Sequence, residues 1–274
     1  MKRIALVLAL LIAVFATNVS AGVAVDQSKV LDRWTFRIGG FLTGLDTTIR
    51  LDSPTGGGQG TSINLEDDLG FDSDLSVPRF TLGVILGKRH EISGGYYKTD
   101  RDSTTTLQRD IEWGDETFPI NIGIGAFYNT EFVNLAYTYW FYSSEDTSLG
   151  VTGGLVYAAL GAGVGISALG QGIGAEEDIS TDVPVPQLGF SVNQYLGKRF
   201  VFTGNLGYIA FNLDDFEGSV ASAAVGVEHR TWKNFGFGLG YGYTGYDIDT
   251  LATDFLGKWE YTVSGFEIYG RAAW

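Results

Sequence analysis

Few residues in this chain carry a side chain suited to catalysis. Histidine occurs twice, at His90 and His229, and cysteine not at all. His90 closes the polar stretch Gly87–His90, and His229 stands just before Thr231–Asn234, so both belong to tight turns. The densest acidic stretch, 65–74, holds Glu66, Asp67, Asp68, Asp72 and Asp74. Carboxylates are the ligands Ca²⁺ prefers, but their spacing here matches no defined Ca²⁺ loop, so these five are weak candidates and no metal site is assigned. Glycine runs such as Gly236, Gly238, Gly240 and Gly242 alternate with large residues and open no helix, so they are not phosphate loops. No catalytic set, cofactor site or cofactor follows from these residues.

The elements that would hold such residues are strands. From Phe266 onward Ile268, Gly270, Ala272 and Trp274 share one face, with Glu267, Tyr269, Arg271 and Ala273 on the other. A free chain end frays unless it is tied down. An apolar strand ending on Trp274 fits one held along its length and finishing at a membrane interface, where Trp prefers to sit.

The N-terminus reads as an export signal. Met1-Lys2-Arg3 is a charged start, residues 4–15 are apolar, and Val19-Ser20-Ala21 gives the small-residue pattern of a cleavage site. The expected organisation is a signal peptide over 1–21 and one domain over 22–274. Without cysteine, an exported chain of this size relies on packing and hydrogen bonding. The formal charge of −14 argues against nucleic acid as a partner. No later apolar run approaches the roughly 20 residues of a membrane helix. Yet 45% of residues are hydrophobic and 39 are glycine, a composition suited to closely spaced strands. A closed barrel is then the form in which this chain could span a membrane.

Period-two alternation marks ten strands, or eight if one hairpin is an external excursion. Four connections are short: Gly87–His90, Ser143–Ser148, Leu196–Arg199 and Thr231–Asn234. Five are expected to be longer and acidic: 53–76, 110–116, 170–182, 214–218 and 247–258. Such strict alternation is the pattern of a membrane barrel with short turns inside and long loops outside. Two irregularities are expected, at Gly39-Gly40, where Phe41 and Leu45 change parity, and near Thr130. Bulky residues are read as lipid-facing, including Leu239 on one strand and Leu160, Ala162, Val164 and Ile166 on another. Gly161, Gly163, Gly165, Asn121, Ser191 and Asn205 are read as lining a narrow interior. Trp34, Trp140, Phe141, Tyr142, Tyr195, Phe200, Trp232, Phe235 and Trp274 are expected to form one aromatic girdle. Arg37, Glu228, Glu267 and Arg271 would then point inward near the turn end, as a charge network plugging the lumen.

On these grounds the chain resembles the small outer-membrane β-barrel proteins of Gram-negative bacteria, the broad class of OmpA-like and OmpW-like barrels. The resemblance implies an all-β, closed, antiparallel, up-and-down barrel in the outer membrane. It implies outer-membrane lipid and lipopolysaccharide as surroundings, a monomer, and a C-terminal strand read by the barrel-insertion machinery. Enzymatic barrels such as the omptins need a histidine near the outer leaflet, and His90 and His229 fall at the opposite end. The expected role is therefore non-enzymatic: structural or surface interaction through acidic loops, with a narrow channel for small solutes as the alternative.

Overall fold

The protein is described by a computed structural model covering residues 28–53, 59–168, 171–197, 199–213, 215–252 and 255–274. The proposed signal peptide lies outside the described residues. Among the described residues there are thirteen strands: β1 (Trp34–Leu51), β2 (Ile63–Asn64), β3 (Asp74–Leu86), β4 (His90–Thr106), β5 (Ile111–Trp113), β6 (Glu116–Phe118), β7 (Gly123–Ser143), β8 (Thr147–Ala168), β9 (Gln171–Leu196), β10 (Phe200–Leu213), β11 (Phe216–His229), β12 (Phe235–Ala252) and β13 (Phe255–Ala273). Ten of them, all but β2, β5 and β6, run antiparallel to their sequence neighbours, and β13 pairs with β1 to close the sheet on itself. Trp34 and Trp274 exchange backbone hydrogen bonds of 2.8 and 3.0 Å, so the closing strand is tied to its last residue. Closure leaves a barrel few unpaired edges, as a sheet in hydrocarbon requires.

The short turns fall where the alternation places them, after β3, β7, β9 and β11. At the other end only two connections are long, 52–73 and 107–122. The stretches read as loops over 170–182 and 247–258 are mostly strand, in hairpins β8–β9 and β12–β13 that run on past the barrel's apolar belt. Acidic residues on alternate positions, such as Asp247 and Asp249, resemble a loop in sequence, yet they are compatible with a strand whose outer face meets water.

The two expected irregularities are absent. The β1–β13 ladder runs unbroken from Thr35 to Leu51, and β7 keeps one parity from Ile124 to Thr138. What changes is the content of each face. Near the short turns the outer face is apolar: Trp34, Phe36, Ile38 and Leu42 on β1, and Phe235, Phe237, Leu239, Tyr241 and Tyr243 on β12, are all exposed. Higher up, the outer face carries Asp46 on β1, Asp100 and Asp102 on β4 and Asp247 and Asp249 on β12. There the large residues turn inward instead. Phe41, Leu45 and Ile49 on β1 and Tyr128 and Phe132 on β7 join a core that fills the distal half of the barrel.

This reverses one expected assignment. Leu160, Ala162 and Val164 are buried inside, and Gly161, Gly163 and Gly165 occupy the outer parity of β8. The segment has already left the apolar belt, so its burial comes from the lumen. In the girdle, seven of the nine aromatics face outward, but Trp140 and Tyr195 do not. Trp140 is 3% exposed and donates Nε1 to Glu91 at 2.9 Å. It keeps the inward parity of β7, and a bulge between Tyr139 and Tyr142 turns both Phe141 and Tyr142 outward.

Candidate functional site

The lumen is built in three storeys. Its floor, beside the short turns, is a charge cluster centred on Glu228, which is 2% exposed. Arg37 reaches it from β1, with Nη2 2.8 Å and Nε 2.9 Å from one carboxylate oxygen. Arg271 from β13 lies 3.2 Å from the other. The Tyr269 hydroxyl donates to Glu228 at 3.0 Å, and its ring lies 5.6 Å below the Arg37 guanidinium. Asp32, in the segment before β1, pairs with Arg271 and with Arg230 at 3.0 Å. A buried charge is tolerable only when paired, and here Arg37 and Arg271 share Glu228 while Arg271 and Arg230 share Asp32.

The structure thus brings Arg37, Glu228 and Arg271 together. Glu267 stands apart, 3.8 Å from Arg79. Asp32, Arg230 and Tyr269 belong to the cluster without having been singled out from sequence. Asp32 lies before the first strand, where no periodicity assigns a direction. Tyr269 shared the inward parity with Arg271 and could have been found. Its ring has room because the cross-strand partner is Gly238, where a Cβ would lie 2.1 Å from the tyrosine ring.

The segment 28–33 completes the floor from below. Val30 and Leu31 are buried against Ile85, Trp140 and Val201. Lys29 pairs with Glu145 at 2.7 Å and Asp146 at 3.2 Å, and hydrogen bonds to these carboxylates raise its pKa above the ordinary lysine value.

Above the floor lies open space. One cavity of about 320 Å³ is bounded by Arg37, Glu91, Thr203 and Glu228, and a second of about 310 Å³ continues upward to Tyr97, Phe132 and Tyr246. The polar residues Ser191 and Asn205 line both.

The ceiling is aromatic. Phe132 stacks on Tyr97 at 4.6 Å and on Tyr261 at 5.7 Å; Tyr246 stacks on Trp259 at 5.4 Å, and Trp259 on Tyr261 at 5.6 Å. Trp259 donates Nε1 to the Tyr128 hydroxyl at 2.8 Å. The two long connections close the mouth over these rings. From the first, Ile63, Leu65, Leu69 and Phe71 insert into the core; from the second, Ile111, Trp113 and Phe118 do so.

The weak Ca²⁺ candidates are dispersed by this packing. Glu66 turns inward and bonds Arg101 at 2.5 Å and the Thr47 backbone at 2.8 Å. Asp68 accepts from Arg109 and from the Asn64 amide. Asp67, Asp72 and Asp74 face solvent. Among the described residues no three His, Cys, Asp or Glu side chains converge as metal ligands would. His90 meets the Tyr137 hydroxyl at 2.6 Å and His229 meets Thr231 at 3.0 Å, both at the short-turn end.

No protein-family model and no curated protein matches the sequence. The fold is similar to that of the outer membrane protease OmpT from Escherichia coli, with a TM-score of 0.57 at 10% identity over 92% of this chain and 100% of that one. The translocator domain of autotransporter NalP from Neisseria meningitidis aligns at a TM-score of 0.42 and 10% identity, over 98% and 96% of the two chains. Ail of Yersinia pestis aligns at 0.33 and 10%, over 89% and 99%. The first likeness is one of fold alone. Closed ten-strand topology and the apolar outer belt together define the class: this is an integral β-barrel protein of a bacterial outer membrane.

Proposed function

We propose that this barrel is a closed, non-enzymatic surface protein that acts through the acidic hairpins and loops standing above the membrane. One arrangement supports the reading: side chains crowd the lumen at both ends. The charge cluster on Glu228, with residues 28–33 beneath it, fills the near end, and the ring of Tyr128, Phe132, Tyr246, Trp259 and Tyr261 fills the far end. A barrel filled in this way would have its working surface outside. That surface is rich in carboxylates, including Asp46, Asp102, Asp182, Asp247 and Asp249.

Anionic hairpins beside an anionic lipid headgroup region repel it unless divalent cations bridge the two, since oxygen-rich anions are hard-cation ligands. The favoured partner is therefore lipopolysaccharide bridged by Mg²⁺ or Ca²⁺. The test is thermal unfolding of the protein reconstituted in vesicles with and without lipopolysaccharide, before and after EDTA. Chelation should lower the unfolding temperature in lipopolysaccharide vesicles alone. An unfolding temperature indifferent to both additions would contradict the bridged-surface reading.

The alternative, a narrow channel, draws support from the two stacked cavities. It requires at least one seal to open. An enzymatic role finds no support in the positions of His90 and His229, which lie far from the acidic mouth.

A further inference from the structure

The barrel wall is not equally zipped all round. Strands β9 and β10 pair from Leu196↔Phe200 up to Gly189↔Gly207 and no further. Above that rung β9 continues to pair with β8, and β10 with β11. The sequence explains the break. The Tyr195 amide donates to the Asp146 carbonyl on the β8 side at 2.7 Å. In an antiparallel ladder alternate residues address alternate neighbours, so even-numbered β9 residues turn their backbone nitrogens towards β10. Two of these are Pro184 and Pro186, which have no N–H to give.

The seam lies at membrane depth. Leu196 lies seven residue steps along β9 from Gly189. At ~3.3 Å rise and a tilt of about 40°, they lift the seam roughly 18 Å, into the outer part of an apolar band about 25 Å tall. The flanking outward side chains, Leu188, Phe190, Leu206 and Tyr208, are all exposed, as lipid-facing residues are. Lipid-exposed sheet edges are avoided in hydrocarbon, and irregular backbone is tolerated there where it lines a cavity. The upper lumenal cavity, of about 310 Å³, reaches the wall at this point and is bounded by Pro186, Gly189 and Gly207. Val185 and Phe132 supply apolar lining, and among the described residues the buried Gln187 Nε2 has no hydrogen-bond partner. A cavity near 300 Å³ with apolar walls, polar groups such as Asn134 and Thr152, and one unsatisfied donor has room and chemistry for a small amphipathic ligand.

We propose that the β9–β10 seam is a lateral entrance from the outer leaflet to this cavity. The cavity takes a small molecule with an apolar body and one oxygen acceptor for the Gln187 amide. Such a ligand would reach the protein dissolved in the membrane, and neither seal of the lumen would have to open.

The chain's lack of cysteine makes the test direct. Ser222→Cys places a single thiol on the cavity wall. The protein is reconstituted in phosphatidylcholine vesicles and labelled with N-decylmaleimide or with a sulfonated, membrane-impermeant maleimide. The alkyl reagent should react faster by about tenfold or more, and Pro184→Val/Pro186→Val, which restores two donors to the seam, should slow it by a similar factor. Folding of each variant is checked by the band shift of unboiled samples, and Pro186→Val alone replaces the double variant should that misfold. Alkyl labelling at the parental rate in the folded variant, or equal rates with the two reagents, would overturn the proposal.

Discussion

Arg101 and Glu66 meet at 2.5 Å across 35 residues of sequence, and both side chains are almost withdrawn from water. The pair fastens a connection to the inner wall of the barrel. Arg101 also donates to the Thr47 hydroxyl at 2.7 Å and lies 5.0 Å from the Tyr128 ring. A loop held in this way is part of the core and not a free surface segment.

Removing one member leaves the other buried and unpaired. Arg101→Ala should cost about 3–5 kcal/mol. The urea midpoint of the micelle-embedded protein measures it. An unchanged midpoint would mean that the 59–73 connection does not seal the mouth.

The inversion of the two faces gives a paired prediction. Leu239 is exposed on the outer belt and Leu160 is 6% exposed inside the barrel. Leu239→Arg should destabilise by about 2–4 kcal/mol if it sits near the midplane. Leu160→Ala should cost about 2–5 kcal/mol through the cavity it leaves. Reversible unfolding in vesicles reads both; a neutral Leu160→Ala would restore the lipid-facing assignment.

Strand number, antiparallel order, the short turns and the inward direction of Arg37, Glu228 and Arg271 were all legible in the alternation of single segments. The side on which the distal large residues lie was not, because alternation gives two faces without naming them. The naming signal was present in the other parity. Where Asp46, Asp100, Asp102, Asp247 and Asp249 replace apolar residues on the outer face, the strand has left hydrocarbon, and its large residues must find shelter in the lumen. The aromatic ceiling joins Tyr128 and Phe132 of β7 to Tyr246, Trp259 and Tyr261 of the β12–β13 hairpin, more than a hundred residues later, a contact that no local pattern announces. Asp32 reaches the floor cluster through closure of the barrel, a tertiary event.

Two glycines of one stripe should respond differently. At Gly238 an added Cβ would lie 2.1 Å from the Tyr269 ring, whereas at Gly242 the nearest atoms are 3.9 Å away. Gly238→Ala should cost about 1–3 kcal/mol by overpacking. Gly242→Ala should fall within about 0.5 kcal/mol of the parent. Equal effects, read from thermal unfolding of the two variants side by side, would mean that Tyr269 does not occupy the space opposite Gly238.

The floor cluster makes the charge of Glu228 indispensable. Glu228→Ala removes the carboxylate partner of Arg37 and one of the two partners of Arg271, and should destabilise by about 3–5 kcal/mol. The loss should be visible as a lower temperature for the disappearance of the folded band on unboiled gels. A variant as heat-resistant as the parent would show that the arginines are hydrated and the floor is open.

The barrel's closure at both ends is tested most directly by current through a planar bilayer containing the purified protein. The floor on Glu228 and the ceiling on Trp259 together predict a silent membrane, without reproducible unitary steps at any voltage the bilayer withstands. Steady single-channel currents from the unaltered protein would contradict it.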